Sequence, residues 1–439
     1  MYARNGWNGK TNPERQEGCV GGERNLRDRQ QRSSNSIMVR GSKGSTMWIR
    51  TLLAMTVLLE IPALAAEKVT VAQLEQAVAQ TQGEPDKDAA RKIETLTLCE
   101  RLARVRFEKL EAELPGPKAR SALLILADAS AFLDLPTADV AAIAPPTVDE
   151  QRAIVLRAVQ FAANMAHKMP NFYATRDTTQ YQSIEHAGKI SVPEEPAKEP
   201  PKLELERTQP FQKVGRSLVT VLYRNGRELI ENKHRNGFTP EYGVENRGEF
   251  GEMLGLVIPD MVRSQISWSH WEQGDADLLA VFRFEVPKDK AHYHWSFCCI
   301  QSSEGEKQVL RNLAAYQVEI AIEPKTGSIL RIAIKTEPEH SRVLEASEVV
   351  EYGAVEIGGV SYICPLRNVV LYAVRMADNL PLSDSGAHSA SLISIAINRT
   401  LFENYHLFRG DVRIVPDLPQ PVPASEGEPK DNSGSQSQP

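Results

Sequence analysis

Two periods divide the chain. From residue 67 to about 185, apolar side chains recur every three or four positions, as on one face of a helix. From about residue 211 they alternate with polar ones, as on a strand with one covered face. In "TVAQLEQAVAQT", Thr70 is placed to cap a helix carrying Val71, Leu74 and Val78 on one side. "DKDAARKIETLTLCERLARVRFEKLEAEL" carries Ile93, Leu96, Leu98, Leu102, Val105 and Leu110, predicting a second, long helix ended by Pro115-Gly116-Pro117. "KARSALLILADASAFLD" predicts a third, stopped by Pro136, and "DEQRAIVLRAVQFAANMAHKM" a fourth, stopped by Pro170. Amphipathic helices must bury their apolar faces against one another, so a small bundle or a helical lid is expected.

Residues 186–210, "HAGKISVPEEPAKEPPKLELERTQP", hold five prolines among Glu and Lys and predict an extended connector. Beyond it, "SLVTVLYRNGRELIENK" alternates Val219, Val221 and Tyr223 and turns at Asn225-Gly226, a strong hairpin signal. "ADLLAVFRFEVP" puts Leu278, Ala280, Phe282, Phe284 and Val286 on one face, with Arg283 and Glu285 opposite. "YQVEIAIEPKTGSILRIAIKT" reads as two strands joined at Pro324-Lys325-Thr326-Gly327, and "EYGAVEIGGVSYICP" turns at Gly358-Gly359. "LISIAINRT" and "YHLFRGDVRIVP" complete an antiparallel meander. "GEFGEMLGLVIPDMV" interrupts it with a helix bearing Leu254, Val257 and Ile258, suited to cover the sheet's apolar face. The expected fold is therefore α+β: an N-terminal helical region, 67–185, a linker, 186–210, and a curved, half-barrel-like antiparallel β domain, 211–418, with a covering helix. A disordered tail is expected over 419–439.

The start of the chain alters the picture. "MWIRTLLAMTVLLEIPALAAEK" has the order of a signal peptide over 47–66: Arg50, an apolar run Leu52–Leu59, then Ala63-Leu64-Ala65. Cleavage is expected near Ala65, giving a periplasmic or secreted protein. Residues 1–46, rich in Gly, Asn, Gln and Arg, lack apolar periodicity and are expected to be a disordered extension or a wrongly assigned start. Residues 1–66 carry ten Lys/Arg and five Asp/Glu, so the remainder has 41 against 52, a net of −11. That charge disfavours nucleic acid as a partner. No transmembrane segment is expected in the processed chain.

Chemistry-bearing residues concentrate in "AHYHWSFCCI", 291–300. As a strand it turns Tyr293, Trp295, Phe297 and Cys299 one way and His292, His294, Ser296 and Cys298 the other. His292 and His294 form a His-x-His pair able to ligate a metal if another ligand such as His270 or His340 joins them. A bridge from Cys298 or Cys299 to Cys364 is a further possibility, and Cys99 is expected to act as a small core residue. "SWSHWEQGDAD" offers Trp268, His270, Trp271, Glu272 and Asp275 as a catalytic or sugar-binding group, or as an ordinary strand and turn. No G-x-S-x-G, H-E-x-x-H, Walker or Rossmann motif occurs, so no catalytic residue and no cofactor is expected.

Several strings, "VTVAQLEQAVAQ", "LPGPKARSALLILADASAFLDLP", "MPNFYATRDTT", "NGFTPEYGVENRGEFGEMLG" and "YQVEIAIEPKTGSILRIAIKT", resemble a family of exported bacterial proteins of unassigned activity. More loosely, the hairpin "IEPKTGSILRI" resembles those of the periplasmic half-barrels, the LolA-type lipoprotein carriers and RseB-type sigma-factor regulators. That resemblance implies a sheet curled round helices with a groove for acyl chains. Together these readings predict a non-enzymatic carrier of an acyl chain, a lipoprotein or an envelope partner. Its expected lining is Phe282, Phe284, Tyr293, Trp295, Phe297, Ile320, Ile322, Leu330 and Ile332. The alternatives are a metal-dependent hydrolase using His292 and His294, and a structural or signalling envelope protein.

Overall fold

A computed structural model describes residues 66–186, 209–231, 243–244, 248–274, 277–301, 307–338, 343–375 and 392–408. The expected extension and signal peptide, most of the proline-rich connector and the expected tail lie outside them. Among the described residues, six helices accompany a ten-stranded antiparallel sheet, a mixed α/β architecture.

The first part is built on local signals. Helix α1, Val71–Ala79, starts in a capping box: Gln73 N donates to Thr70 Oγ1, and the Gln73 side chain accepts from Thr70 N. The long helix expected next is broken. Asp86–Glu94 forms α2, but Leu96–Leu98 is a strand, and α3 begins only at Arg104 and ends at Glu113. Leu96 and Leu98 are buried with Thr97 half-buried between them, a period of two hidden in a helix-like run. This strand, β2, pairs in parallel with β1, Glu67–Val69. Helix α4, Pro117–Ser130, takes its cap from outside, since Asp86 of α2 accepts from Lys118 N and Ala119 N. Helix α5, Val148–Lys168, begins in a second capping box, Thr147 with Glu150.

The helical region ends sooner than expected: Phe172–His186 is a strand, β3. It pairs with β4, Gln212–Arg224, which turns into β5, Arg227–Glu231. Asn225 and Gly226 both have positive φ, the conformation a tight hairpin demands. After a short β6, Gly243–Val244, and helix α6, Glu252–Arg263, come β7, Ser267–Gln273, and β8, Leu278–Val286. Strands β9, His294–Gln301, and β10, Lys307–Leu313, leave the main sheet and form a small sheet with β6. The meander resumes with β11, Ala315–Ile322, β12, Ile329–Glu337, β13, Val343–Ile357, β14, Val360–Arg375, and β15, Leu392–Leu407. The spatial order is β5-β4-β3-β15-β14-β13-β12-β11-β8-β7, every pair antiparallel, and the sheet does not close.

Both faces are covered. On one, α5 and α6 bury Phe282, Phe284, Ile320, Ile332 and Val350 in the largest core. Trp295 and Phe297 of β9 pack on the same face further along, against Ala346, Val370, Tyr372 and Ala396. On the other face, Ala131 and Phe132 after α4 meet Tyr181, Ala333, Val349, Val369 and Ile397. Charge reinforces this second contact. Arg101 donates to Glu272 at 2.7 Å, Asp128 accepts from Arg367, and Asp134 accepts from Arg283.

Candidate functional site

The expected lining does not form one row. Phe282, Phe284, Ile320, Ile322 and Ile332 belong to the sheet and are buried. Trp295 and Phe297 belong to the layer above it and face down, and half-buried Tyr293 packs at the margin. Leu330 lies apart, against Leu279, Val281 and Ala321 on the opposite face. A register shift separates the two: Ile322 pairs with Ile329 but Ala321 with Arg331, so Leu330 is skipped and the alternation with Ile332 fails.

The histidines are similarly dispersed. His292 precedes β9; its backbone N donates to Asp260 Oδ2 at 2.8 Å, and its Nδ1 meets Asp260 Oδ1. Asp260, from α6, is fully buried and also accepts from Tyr316 Oη at 2.6 Å. Burial and this carboxylate push the Tyr316 hydroxyl well above its ordinary value. His294 is exposed, and His270 bonds Ser269 with its Nε2 3.7 Å from Glu272. Among the described residues no group of three or more His, Cys, Asp or Glu side chains is placed to hold a metal. His340 and Asp275 lie outside them. Cys364 is a free, buried thiol, so the bridge considered for it does not form. Cys99, expected to be a core thiol, is disulfide-bonded.

A polar cluster lies on the covered face where the chain leads into α6. The dipeptide Glu249-Phe250 sits between Gly248 (φ 94°) and Gly251 (φ 141°), immediately before the helix. Both φ values are in the region that favours glycine. Phe250 is buried among Phe172, Phe402 and Tyr405. Glu249 is fully buried; its Oε1 accepts from Arg176 Nη2 at 3.0 Å and from Asn368 Nδ2 at 2.9 Å. The same Asn368 nitrogen lies 2.8 Å from Glu348 Oε1, and Glu348 Oε2 accepts from Tyr293 Oη at 2.7 Å. Glu228 joins from β5, accepting from Gly248 N at 3.1 Å. Burial, then the charge of Glu249, pushes Glu348 up to about 7 and Glu228 up to about 8.

Beside this core a cleft of about 370 Å³ opens between α5 and the β13–β14 hairpin. Phe161, Met165, Met169, Tyr362 and Ile363 give it an apolar wall, while Arg157 and Lys168 stand on α5; no carboxylate among the described residues lines it. Its end is fixed by close packing. Arg157 Nε donates to Pro324 O at 2.8 Å, and Gly327 (φ 78°) rests directly on the helix backbone.

Sequence reasoning missed the polar cluster. The available signals were polar residues at inward positions, Arg176 in "FYATRDTTQ" and Asn368 in "LRNVV", and a glycine-flanked Glu-Phe pair before an amphipathic helix.

No protein-family model matches the chain, and no curated protein matches it. Among solved structures there is a weak likeness to "InvG secretin domain beta-barrel from Salmonella SPI-1 injectisome NC-base": 7% identity, covering 56% of this chain and 64% of that one, at a TM-score of 0.11. So low a score carries no argument about fold or function. Among the described residues, no helix is long and apolar enough to cross a membrane.

Proposed function

We propose that the chain is a non-enzymatic binding or carrier protein, exported to the periplasm or beyond, whose ligand is an acyl chain presented free or on a lipoprotein. The supporting observation is the cleft between α5 and the β13–β14 hairpin. At about 370 Å³ it falls within the ~300–1,000 Å³ of ligand-sized clefts. It joins the main core, because Met165 and Met169 belong to both. A chain entering there extends toward Phe282, Phe284, Ile320 and Ile332 if α6 lifts. In this reading the open sheet curls around its helices as a half-barrel, and α5 and α6 are its cover. Lys168, not ion-paired among the described residues, suits an anionic headgroup at the mouth, away from the end where Arg157 is bonded to Pro324 O.

The test is native mass spectrometry of the purified protein, made without added metal or chelator, before and after addition of palmitate. Retained or added lipid mass that falls in Phe161→Asp supports the proposal. Bare polypeptide mass at saturating palmitate sinks it.

A further inference from the structure

Three carboxylates gather at the segment leading into α6: Glu249 is paired with Arg176 and shares Asn368 Nδ2 with Glu348, and Glu228 accepts from the adjacent Gly248 N. With all three ionised, the cluster and Arg176 together carry a net charge of −2 among the described residues, in the protein interior, which is strongly unfavourable. Hydrogen bonding in the cluster is incomplete. Glu249 Oε2, Glu228 Oε1 and Asn368 Oδ1 are buried without a hydrogen-bond partner, as are the neighbouring hydroxyls of Tyr223 and Tyr352. A proton on one carboxyl adds a donor and removes one of the negative charges.

The carboxylate at the centre belongs to a short glycine-flanked segment: Glu249-Phe250 lies between two glycines of positive φ, and α6 follows directly. Glu249 and Phe250 therefore act as a plug that seats the helix on β3, β13 and β14. The other end of α6 is tied separately, through Asp260 to His292 and Tyr316.

We propose that the Glu249-Phe250 plug is a proton-controlled latch: it is seated while the three-carboxylate cluster holds a proton, and it releases the first turns of α6 when the cluster is fully ionised. Release uncovers the apolar face that the carrier proposal assigns to the ligand, so the physiological meaning of the latch rests on that proposal. The raised proton affinities of Glu348 and Glu228 put the change near neutrality. Their folded values lie above the ordinary 4.5, so their contribution to seating is complete below about 4.5 and is lost as pH rises through 7 to 8. Other titratable and charged groups face the cluster from every neighbouring element. They are Arg176 on β3, Tyr223 on β4, Glu252 on α6, Tyr293 before β9, Tyr316 on β11, Tyr352 on β13, Cys364 on β14 and Tyr405 on β15. The hydroxyls and the thiol are pushed up by burial and stay neutral through this range, and no histidine among the described residues joins them.

The test measures hydrogen-exchange protection factors of the amides of residues 252–263 in the ligand-free full chain at pH 6 and pH 9. The expected result is a loss of about tenfold or more at pH 9, the factor carried by one unit of differential proton affinity. Glu348→Gln, folded by circular dichroism, should keep high protection at both pH values. Should that variant not fold, Glu228→Gln at the cluster rim serves the same purpose. Equal protection of wild type at the two pH values, or an undiminished pH response in the folded Gln variant, overturns the latch. Palmitate binding is measured separately. If α6 loosens with pH but no lipid binds, the carrier proposal fails and the latch stands; if lipid binds at both pH values while protection does not change, the reverse holds.

Discussion

Gly327 rests on the backbone of Arg157. A Cβ built on Gly327 would lie 2.5 Å from the Arg157 carbonyl oxygen and 2.6 Å from its Cβ, and the glycine has a φ of 78°. The β11–β12 turn thus packs on α5 without a side chain between them. Gly327→Ala meets both a strained backbone and a rigid neighbour, and should cost at least ~1–3 kcal/mol of stability. Urea denaturation of the variant gives the number; an unchanged midpoint would mean that the turn and α5 are not in contact.

Asp260 is the buried tie at the far end of α6. Tyr316→Phe removes one donor and leaves Asp260 bonded to His292, so a loss of ~1–3 kcal/mol is expected. Asp260→Ala leaves the Tyr316 hydroxyl and the His292 amide both unpaired and should cost more. Thermal unfolding of the two variants tests the order, which reverses if the aspartate is merely tolerated there.

Arg367 bridges the two layers. It donates to Asp128 of α4 and, at 2.7 Å, to Glu351 of its neighbouring strand. Arg367→Ala abandons a fully buried carboxylate, whose remaining cation is Arg399 at 3.4 Å. The expected loss is ~3–5 kcal/mol, because an uncompensated buried charge is left behind. Arg367→Lys keeps the charge but not the two-pronged geometry, and should recover only part of it.

Acid should loosen the contact between the helices and the sheet. Burial alone would raise Glu272 and Glu319, but Arg331 and Arg101 outweigh it, with His270 helping at Glu272 and Arg283 at Glu319, so both carboxyls are held far below the ordinary 4.5. A depressed carboxyl contributes its stability above the unfolded value and loses it as pH falls. Denaturation midpoints should therefore fall progressively below about pH 4.5. In Glu319→Gln this acid limb should be shallower; an identical limb would place the acid sensitivity elsewhere.

Cys364 should be inert in the native protein. Burial pushes its thiol up to about 12, and its sulfur lies 3.9 Å from Met169 Sδ. A thiol reagent at pH 8 should label it only after denaturant is added. Rapid native labelling, located by peptide mapping, would contradict the packing.

The hairpins were legible because their signals are local. Asn225-Gly226 and Gly358-Gly359 turn where the sequence places turns, with the positive φ those residues supply. The amphipathic 252–263 segment is a helix for the same reason. What escaped detection was decided at long range. "TLTLCE" has helix-compatible leucine spacing on either side, and only pairing with Glu67–Val69 makes it a strand. β3 looks too polar for a core strand, with Arg176, Thr178 and Gln180 on its inward face. Their partners Glu249, Thr400 and Tyr372 lie 73, 222 and 192 residues away. The slip at Leu330 also depends on the partner strand, so strict alternation assigned that residue to the wrong face.

The position of β3 governs how the sheet is assembled. β5, β4 and β3 form one block, β7, β8 and β11 to β15 another, and the β3–β15 seam joins them. Thr178 and Thr400, whose hydroxyls meet across that seam at 2.8 Å, are separated by 222 residues. The middle of the sheet is thus the last part that synthesis makes available. Until residue 407 has emerged, β3 and β14 each present an unpaired row of backbone groups, open to wrong partners. Folding of this chain belongs to the slow, non-local class, and a chain cut short before β15 exposes the edges of β3 and β14 in addition to the β5 and β7 edges of the open sheet.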